Sequence, residues 1–198
     1  MDVVAQLSLL MGPSFLSGIN AYATIGFLGL FGRVGWVLLP GGLDVLTHPA
    51  VFVTTLVLFA VEFIADKIPA FDTFWDGIQS FIRIPCGAVL AYAVVGPVDP
   101  ELKLAAGLLG GTLAASSHAV KAGVRAMVNM SPEPFSNWLL SFAEDGFVLA
   151  GLWFIFYLPF VMAGILVLFL CLAIWILPKM FRVFLAAVRK GARVFRSP

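Results

Sequence analysis

The stretch FVLAGLWFIFYLPFVMAGILVLFLCLAIWIL, residues 147–177, decides the fold class, because it contains no charged side chain over its whole length. A transmembrane helix needs about 20 consecutive apolar residues, so this stretch is too long for one crossing. The sequence Tyr157-Leu158-Pro159 in its middle predicts a tight turn between two helices, since proline breaks a helix interior. The stretch therefore predicts two apolar helices that cross a membrane one after the other.

The composition of the whole chain points the same way. Hydrophobic residues make up 61% and charged residues 12% of its 198 residues, whereas a soluble domain carries about 25% charged residues. Too little polar surface is present to cover a water-soluble globule, so lipid must cover it. The net charge of +1 gives no reason to expect a nucleic-acid partner. We expect residues 1–198 to form a single transmembrane domain.

Hydropathy divides the chain into about six candidate spans, at 14–32, 50–66, 80–96, 103–124, 137–158 and 160–178. A shorter apolar piece at 3–11 ends in Gly12-Pro13, which predicts an interfacial or re-entrant half-helix. The predicted fold is an all-α, polytopic integral membrane helix bundle.

Lysine and arginine positions predict the orientation of the bundle, since cytoplasmic segments are enriched in these residues. The segment 179–198 is strongly basic, so we expect it to be a cytoplasmic tail. Six spans would then place both termini in the cytoplasm, in a multi-pass protein of the cell inner membrane.

Residues 71–83 have an amphipathic helical pattern. Phe74, Ile78 and Phe81 fall on one side, and Asp76 and Arg83 fall on the other. The pattern predicts a helix in the plane of the membrane, with its aromatic side chains at headgroup level and its charged side chains in water.

Two pairs of short motifs predict an internal repeat. SGINAYA at 17–23 is matched by SSHAVKAG at 116–123, and FAVEFIAD at 59–66 by SFAEDG at 141–146. Their order is the same in the segments 1–97 and 102–178, and three spans per segment would invert one half relative to the other. Inverted repeats are common in transporters, whose binding sites lie between the halves.

Polar side chains inside the apolar segments are the candidate site. An ionised group at the centre of a span costs about 2.5–3.5 kcal/mol on insertion scales, so these groups must meet one another or water. The simplest arrangement places the acidic residues opposite a basic stripe on the fourth span, with an asparagine lining the same space. The candidate solute- or ion-binding residues are Asn20, Glu62, Asp66, His118, Lys121, Arg125, Glu144 and Asp145.

These motifs resemble an uncharacterised bacterial membrane-protein family known as domain of unknown function 4126. The resemblance rests on GINAYATIGFLGLFGRVG, on VEFIADKIPAFDTFWDGIQSFIR, and on ASSHAVKAGVRAMVN with the following SPEPFSNWLLSFAEDG. It covers most of residues 15–160 and leaves the last span and the basic tail outside. It implies a membrane protein and no particular activity.

Three functions follow from these features as hypotheses. The first is a small transporter or channel with a charge-lined site between two inverted halves, for which an anionic substrate is one option. The second is a lipid scramblase or a carrier of anionic lipid phosphates, and the third is a structural or assembly protein whose charges only fix helix register. We expect no enzyme activity, no metal site and no cofactor, because no spacing matches a catalytic or metal-binding motif. The expected partners are membrane lipids and a small solute, ion or lipid headgroup, and self-association into a homo-oligomer is left open.

Overall fold

A computed structural model describes residues 3–129 and 134–194, with side chains described except at 69–73, 134 and 183–194. The described residues are helical, joined by short turns, and contain no strand. The elements are α1 (Val3–Ile19), α2 (Ala21–Val34), a 3-10 helix (Gly41–Thr47), α3 (Pro49–Ala65), α4 (Pro69–Val94), α5 (Pro100–Val128), α6 (Pro134–Tyr157) and α7 (Pro159–Val194). Each helix from α3 to α7 begins with a proline, whose missing N–H costs nothing in the first turn.

Within the described parts of the chain, three helices are long and apolar enough to cross a membrane, over Phe74–Val94, Phe135–Tyr157 and Pro159–Arg182. A fourth candidate is the 3-10 helix together with α3, which are bent by 70° at their junction. The all-helical class with apolar spans is thus confirmed. The basic segment predicted at 179–198 continues α7 as far as Val194, and residues 195–198 lie outside the described part of the chain.

The predicted break between the last two apolar helices is confirmed, since α6 ends at Tyr157 and α7 begins at Pro159. The ring centroid of Phe15 lies 5.9 Å from that of Phe147 and 4.7 Å from that of Phe169. Phe147 and Phe169 are at nearly equal distances in sequence from the turn at Leu158, and both contact Phe15. Helices α6 and α7 therefore run antiparallel and both pack against α1.

Helices α1 and α2 form a hairpin with its tip at Asn20. The Ser8 hydroxyl donates to the carbonyl of Pro159 at 2.8 Å, and the Tyr157 hydroxyl donates to the carbonyl of Trp36 at 2.7 Å. Laid end to end, the two helices would separate Ser8 from Trp36 by about 40 Å. Both residues instead meet the α6–α7 turn, so the chain enters along α1, reverses at Asn20 and returns along α2.

This hairpin corrects two predictions. The span expected at 14–32 is wrong, because Asn20 has extended backbone angles (φ −148°, ψ 102°) and its side-chain oxygen accepts from the Ala23 N–H at 2.9 Å. Asparagine is a strong N-cap, and it starts α2 here. The break expected at Gly12-Pro13 is also wrong, because α1 continues through Pro13.

The orientation predicted for residues 71–83 is wrong as well. They belong to α4, whose apolar part is long enough to span a membrane. Asp76 and Arg83 are buried, whereas Phe74 and Phe81 are exposed to the surroundings by 64% and 85%. The polar face therefore points into the bundle and the aromatic face points out, because the medium outside a membrane protein is lipid.

The centre of the bundle is formed by α1, α4 and α5, which pack closely through small residues. The Ser14 hydroxyl donates to the carbonyl of Gly87, and the Ser117 hydroxyl to the carbonyl of Phe15, both at 2.8 Å. A Cβ atom added at Gly110 would lie 2.6 Å from the Gly87 carbonyl oxygen. Such close approach through small side chains is what holds membrane helices together.

The three-helix repeat is not seen in the order of the elements. Four α-helices and the 3-10 helix precede residue 97, whereas the described part of the second half contains three α-helices. The matched motifs also differ in structure: SGINAYA contains the hairpin tip, while SSHAVKAG lies within the continuous helix α5. The start of α1 lies beside the start of α7, since the Ser8 hydroxyl donates to the Pro159 carbonyl. Because α7 runs from there to Val194, the start of α1 and the end of α7 lie at opposite ends of the bundle.

Candidate functional site

One end of the bundle gathers the charged residues of four helices. The last turn of α3, the first two thirds of α4, the first half of α6 and the last third of α5 meet there, and the α1–α2 tip reaches in from the opposite end. Among the residues that the structure describes, the ion-pair network at this place consists of seven buried or nearly buried side chains: Glu62, Asp66, Asp76, Arg83, Lys121, Arg125 and Glu144.

The first part of the network surrounds Arg83, which is fully buried. Its guanidinium pairs with Glu62 and donates to Asp76 Oδ1 at 2.9 Å. One of its nitrogens also lies 3.0 Å from His118 Nδ1, and the other ring nitrogen of His118 lies 2.6 Å from the Ser80 hydroxyl. Arg83 thus ties α3, α4 and α5 together.

The second part surrounds Arg125. Its guanidinium donates to Asp66 Oδ2 at 2.9 Å, to the Asp66 backbone carbonyl at 3.2 Å, and to both carboxylate oxygens of Glu144. Bidentate pairing of this kind fixes the geometry of both partners. The sequence-based prediction that an acidic residue of α3 lies within salt-bridge distance of Lys121 or Arg125 is confirmed by this contact.

Lys121 occupies a cage of oxygen atoms. Its Nζ lies 2.9 Å from the carbonyl oxygen of Ile19, 3.3 Å from Glu144 Oε2 and 3.8 Å from Asp66 Oδ2. Ile19 is the last residue of α1, and the carbonyl end of a helix carries a partial negative charge. A carbonyl at a helix end and two carboxylates together form a binding site for a cation, and the lysine ammonium occupies that site.

Asn20, at the hairpin tip, links the network to α6. Its amide nitrogen donates to Asp145 Oδ1 at 3.1 Å while its amide oxygen caps α2. Asp145 forms no salt bridge among the described residues. Counting it, the printed ion pairs and the Asn20–Asp145 contact contain five carboxylates against two arginines and one lysine, with His118 beside Arg83 and Lys67 near Asp145.

The structure therefore brings together all eight candidate residues predicted from the sequence. His118, however, joins the Arg83 part rather than the Lys121–Arg125 part, and Glu62 pairs with Arg83. Sequence reasoning missed Asp76 and Arg83, which it had placed in water, and also Ser80 and the Ile19 carbonyl. The amphipathic pattern of α4 contained the signal for the first two, but its polar side was assigned to the wrong surroundings.

Two cavities adjoin the network. One of about 170 Å³ is lined by Asp76, Ser80, His118 and Arg125. The other, of about 320 Å³, is an apolar groove between α5 and α6, floored by Phe15 and Ile19 of α1 and bordered by Lys121 and Glu144. The ion pairs thus have open space on two sides.

Fold and site together define an all-helical protein that has apolar helices fit to span a membrane and an ion-pair network buried between them. The chain belongs to the family described as "Domain of unknown function (DUF4126)", which matches residues 7–179. The match includes most of α7, so the last span lies inside the family region rather than outside it as expected. Neither the curated proteins nor the solved structures contain a match to the chain.

Proposed function

We propose that this protein is a small membrane transporter or channel that moves a cation or a proton past the tip of the α1–α2 hairpin. The observation that carries the proposal is the contact between this tip and the network, through Ile19–Lys121 and Asn20–Asp145. Non-helical backbone is tolerated at membrane depth only where protein buries it or where it lines an aqueous cavity. In transporters, the ends of interrupted helices lie at the substrate and ion sites.

The proposed topology has five crossings, α3 to α7, and a re-entrant hairpin formed by α1 and α2. Basic residues accumulate at the end of the bundle that contains the network, at Lys67, Lys121, Arg125 and the segment 179–194. The positive-inside rule assigns this end to the cytoplasm. In this arrangement the C-terminal segment is cytoplasmic, the start of α1 lies on the other side of the inner membrane, and two inverted three-helix halves are not required.

The charge balance favours a cation over an anion as the bound species. Each of the three basic side chains already contacts two carboxylates, so an anion would have to displace several of them. A cation needs to displace only the Lys121 ammonium from its cage. When a free cation replaces the Lys121 ammonium, Lys121 also loses its contact with the Ile19 carbonyl at the hairpin tip. Cation binding would thereby be coupled to movement of the hairpin.

Lipid handling is a second candidate, favoured by the apolar groove between α5 and α6. Its lining includes Phe147 and Phe169, and the ammonium of Lys121 stands at its border. An acyl chain could lie in the groove with its anionic headgroup toward the lysine. Lipid binding would require Lys121 to leave Glu144.

Ion flux into proteoliposomes tests the proposal. Purified protein is reconstituted, a membrane potential is imposed, and flux is recorded in turn with protons, sodium, potassium, ammonium and chloride. We expect flux with at least one cation, loss of that flux in Lys121→Met, and normal flux in Lys103→Met, a control lysine at the other end of α5. Flux equal to that of protein-free vesicles for every ion contradicts the proposal, and chloride flux alone supports the anionic alternative. Movement of labelled lipid between leaflets without ion flux supports the lipid candidate.

A further inference from the structure

The buried face of α6 carries a ladder of polar side chains, Asn137, Ser141 and Asp145. They are spaced four residues apart, so they lie one above another on the same face of the helix. Their exposed fractions are 1%, 0% and 8%. The face continues as apolar residues, Val148 and Leu152, so the polar part is confined to the first half of α6, the half nearest the network.

Polar atoms along this ladder have no hydrogen-bond partner among the described residues. They are both amide atoms of Asn137, the Ser141 hydroxyl oxygen and Oδ2 of Asp145. Buried polar groups in native proteins nearly always have a partner, and ordered water supplies it where protein atoms do not. These three side chains lie in one line and each has a polar atom without a protein partner, so together they could hold a file of water molecules that ends at Asp145.

Of the carboxylates in the site, Asp145 is the one whose surroundings most favour the neutral, protonated form. Asn20 donates to only one of its two oxygens, and it has no salt bridge in the described part of the chain. The charged groups around it are Lys121 of α5, Glu62 and Asp66 of α3, Lys67 after α3, and its neighbour Glu144. Because carboxylates outnumber the basic side chains here, protonating Asp145 removes repulsion without breaking an ion pair.

We propose that Asp145 binds and releases a proton, which reaches it through water held by Asn137 and Ser141. A hydronium ion in the file transfers its proton to Oδ2 of the carboxylate, leaving water and a neutral carboxylic acid, and the reverse step returns the proton. The use of this proton as the transported or coupling ion rests on the proposed function, but the binding itself does not. Protonation of Asp145 also weakens the hydrogen bond that the Asn20 amide donates to it at the hairpin tip.

Infrared difference spectroscopy of the purified protein tests the proposal directly. Lowering the pH should produce the carbonyl stretch of a protonated carboxylic acid. We expect this band to be lost in Asp145→Asn and kept in Asp44→Asn, whose carboxylate lies on the exposed 3-10 helix. An unchanged band in Asp145→Asn, or no band in the wild-type protein, overturns the proposal.

Thiol labelling tests the water file in protein that keeps Asp145. In a background with Cys86 and Cys171 replaced by alanine, Asn137→Cys and Ser141→Cys should react with a small water-soluble thiol reagent at least about tenfold faster than Leu139→Cys, which faces outward. Equal or slower reaction at both ladder positions overturns the proposal. Neither experiment needs a transported substrate, so its failure is distinguishable from a failure of the flux assay.

Discussion

The ammonium nitrogen of Lys121 lies 2.9 Å from the carbonyl oxygen of Ile19, the residue that ends α1. The contact joins the middle of the charged site to the carbonyl end of α1, where the chain leaves that helix and turns into α2. Helix ends leave carbonyls without intrahelical partners, and those carbonyls require a donor. Lys121 supplies the donor and also neutralises part of the charge of Asp66 and Glu144.

Removing this ammonium should leave a group of oxygen atoms that a free cation can bind. We predict that Lys121→Ala lowers the melting temperature in detergent and that methylammonium raises it again, because the added cation replaces the missing one among the same oxygen atoms. A ligand at 100 times its Kd stabilises the folded state by about 2.7 kcal/mol. The measurement is a thermal melt as a function of methylammonium concentration.

The control is Lys103→Ala, which removes a lysine from the same helix outside the cage. Methylammonium should leave its melting temperature unchanged. Equal stabilisation of both variants would mean that the salt acts nonspecifically, and the description of the cage as a cation site would then fail.

The pair formed by Arg83 and Glu62 gives a second prediction, on stability. Arg83→Gln leaves two buried carboxylates without their partner, and breaking a buried pair in this way costs about 3–5 kcal/mol. We expect Arg83→Gln to unfold at a lower temperature than the wild-type protein, and Arg83→Gln/Glu62→Gln to recover part of the loss because one stranded charge is removed. Arg33→Gln, at the exposed end of α2, is the matched control.

The same pair shows what the sequence could and could not predict. The cost of inserting charges into lipid was enough to predict that the acidic residues near 62–66 meet the basic residues near 121–125, and Asp66 does contact Arg125. The same argument would have included Arg83 if the polar face of α4 had been turned inward. A helical wheel distinguishes the polar face of a helix from its apolar face. Whether the polar face points outward or inward depends on whether water or lipid surrounds the helix.

The hairpin was missed for a different reason. Hydropathy averages over a window, and the residues on both sides of Asn20 are uncharged and mostly apolar, so 14–32 resembles a continuous span. The capping interaction of a single side chain with the Ala23 N–H breaks that window. The break between α6 and α7 was predicted because proline lacks an N–H and favours the first turn of a new helix. The same reasoning failed at Pro13, which lies inside α1, and asparagine gives a weaker signal still, since it only favours a helix start.

The outward aromatic face of α4 gives a third prediction. A spin label at Phe81→Cys should collide readily with oxygen, which concentrates in lipid, and poorly with a water-soluble nickel complex, because this side chain is 85% exposed on a helix that is long and apolar enough to cross a membrane. A label at Leu38→Cys, in the turn after α2, should show the reverse preference. Strong collision of the Phe81 label with the nickel complex would return residues 71–83 to the membrane surface.

The last prediction concerns the hairpin and the number of crossings. A six-span protein with its first span at 14–32 would place Val3 and Leu38 on opposite sides of the membrane. The α1–α2 hairpin places them on the same side, because Ser8 and Trp36 both contact the α6–α7 turn. In whole cells without native cysteines, we expect a membrane-impermeant maleimide to label both Val3→Cys and Leu38→Cys, since both side chains are exposed. Ile68→Cys, exposed at the other end of α3, should be labelled only after permeabilisation. Labelling of Leu38→Cys but not Val3→Cys in intact cells would mean that α1 and α2 cross the membrane together, and the re-entrant tip on which the proposed transport path depends would be lost.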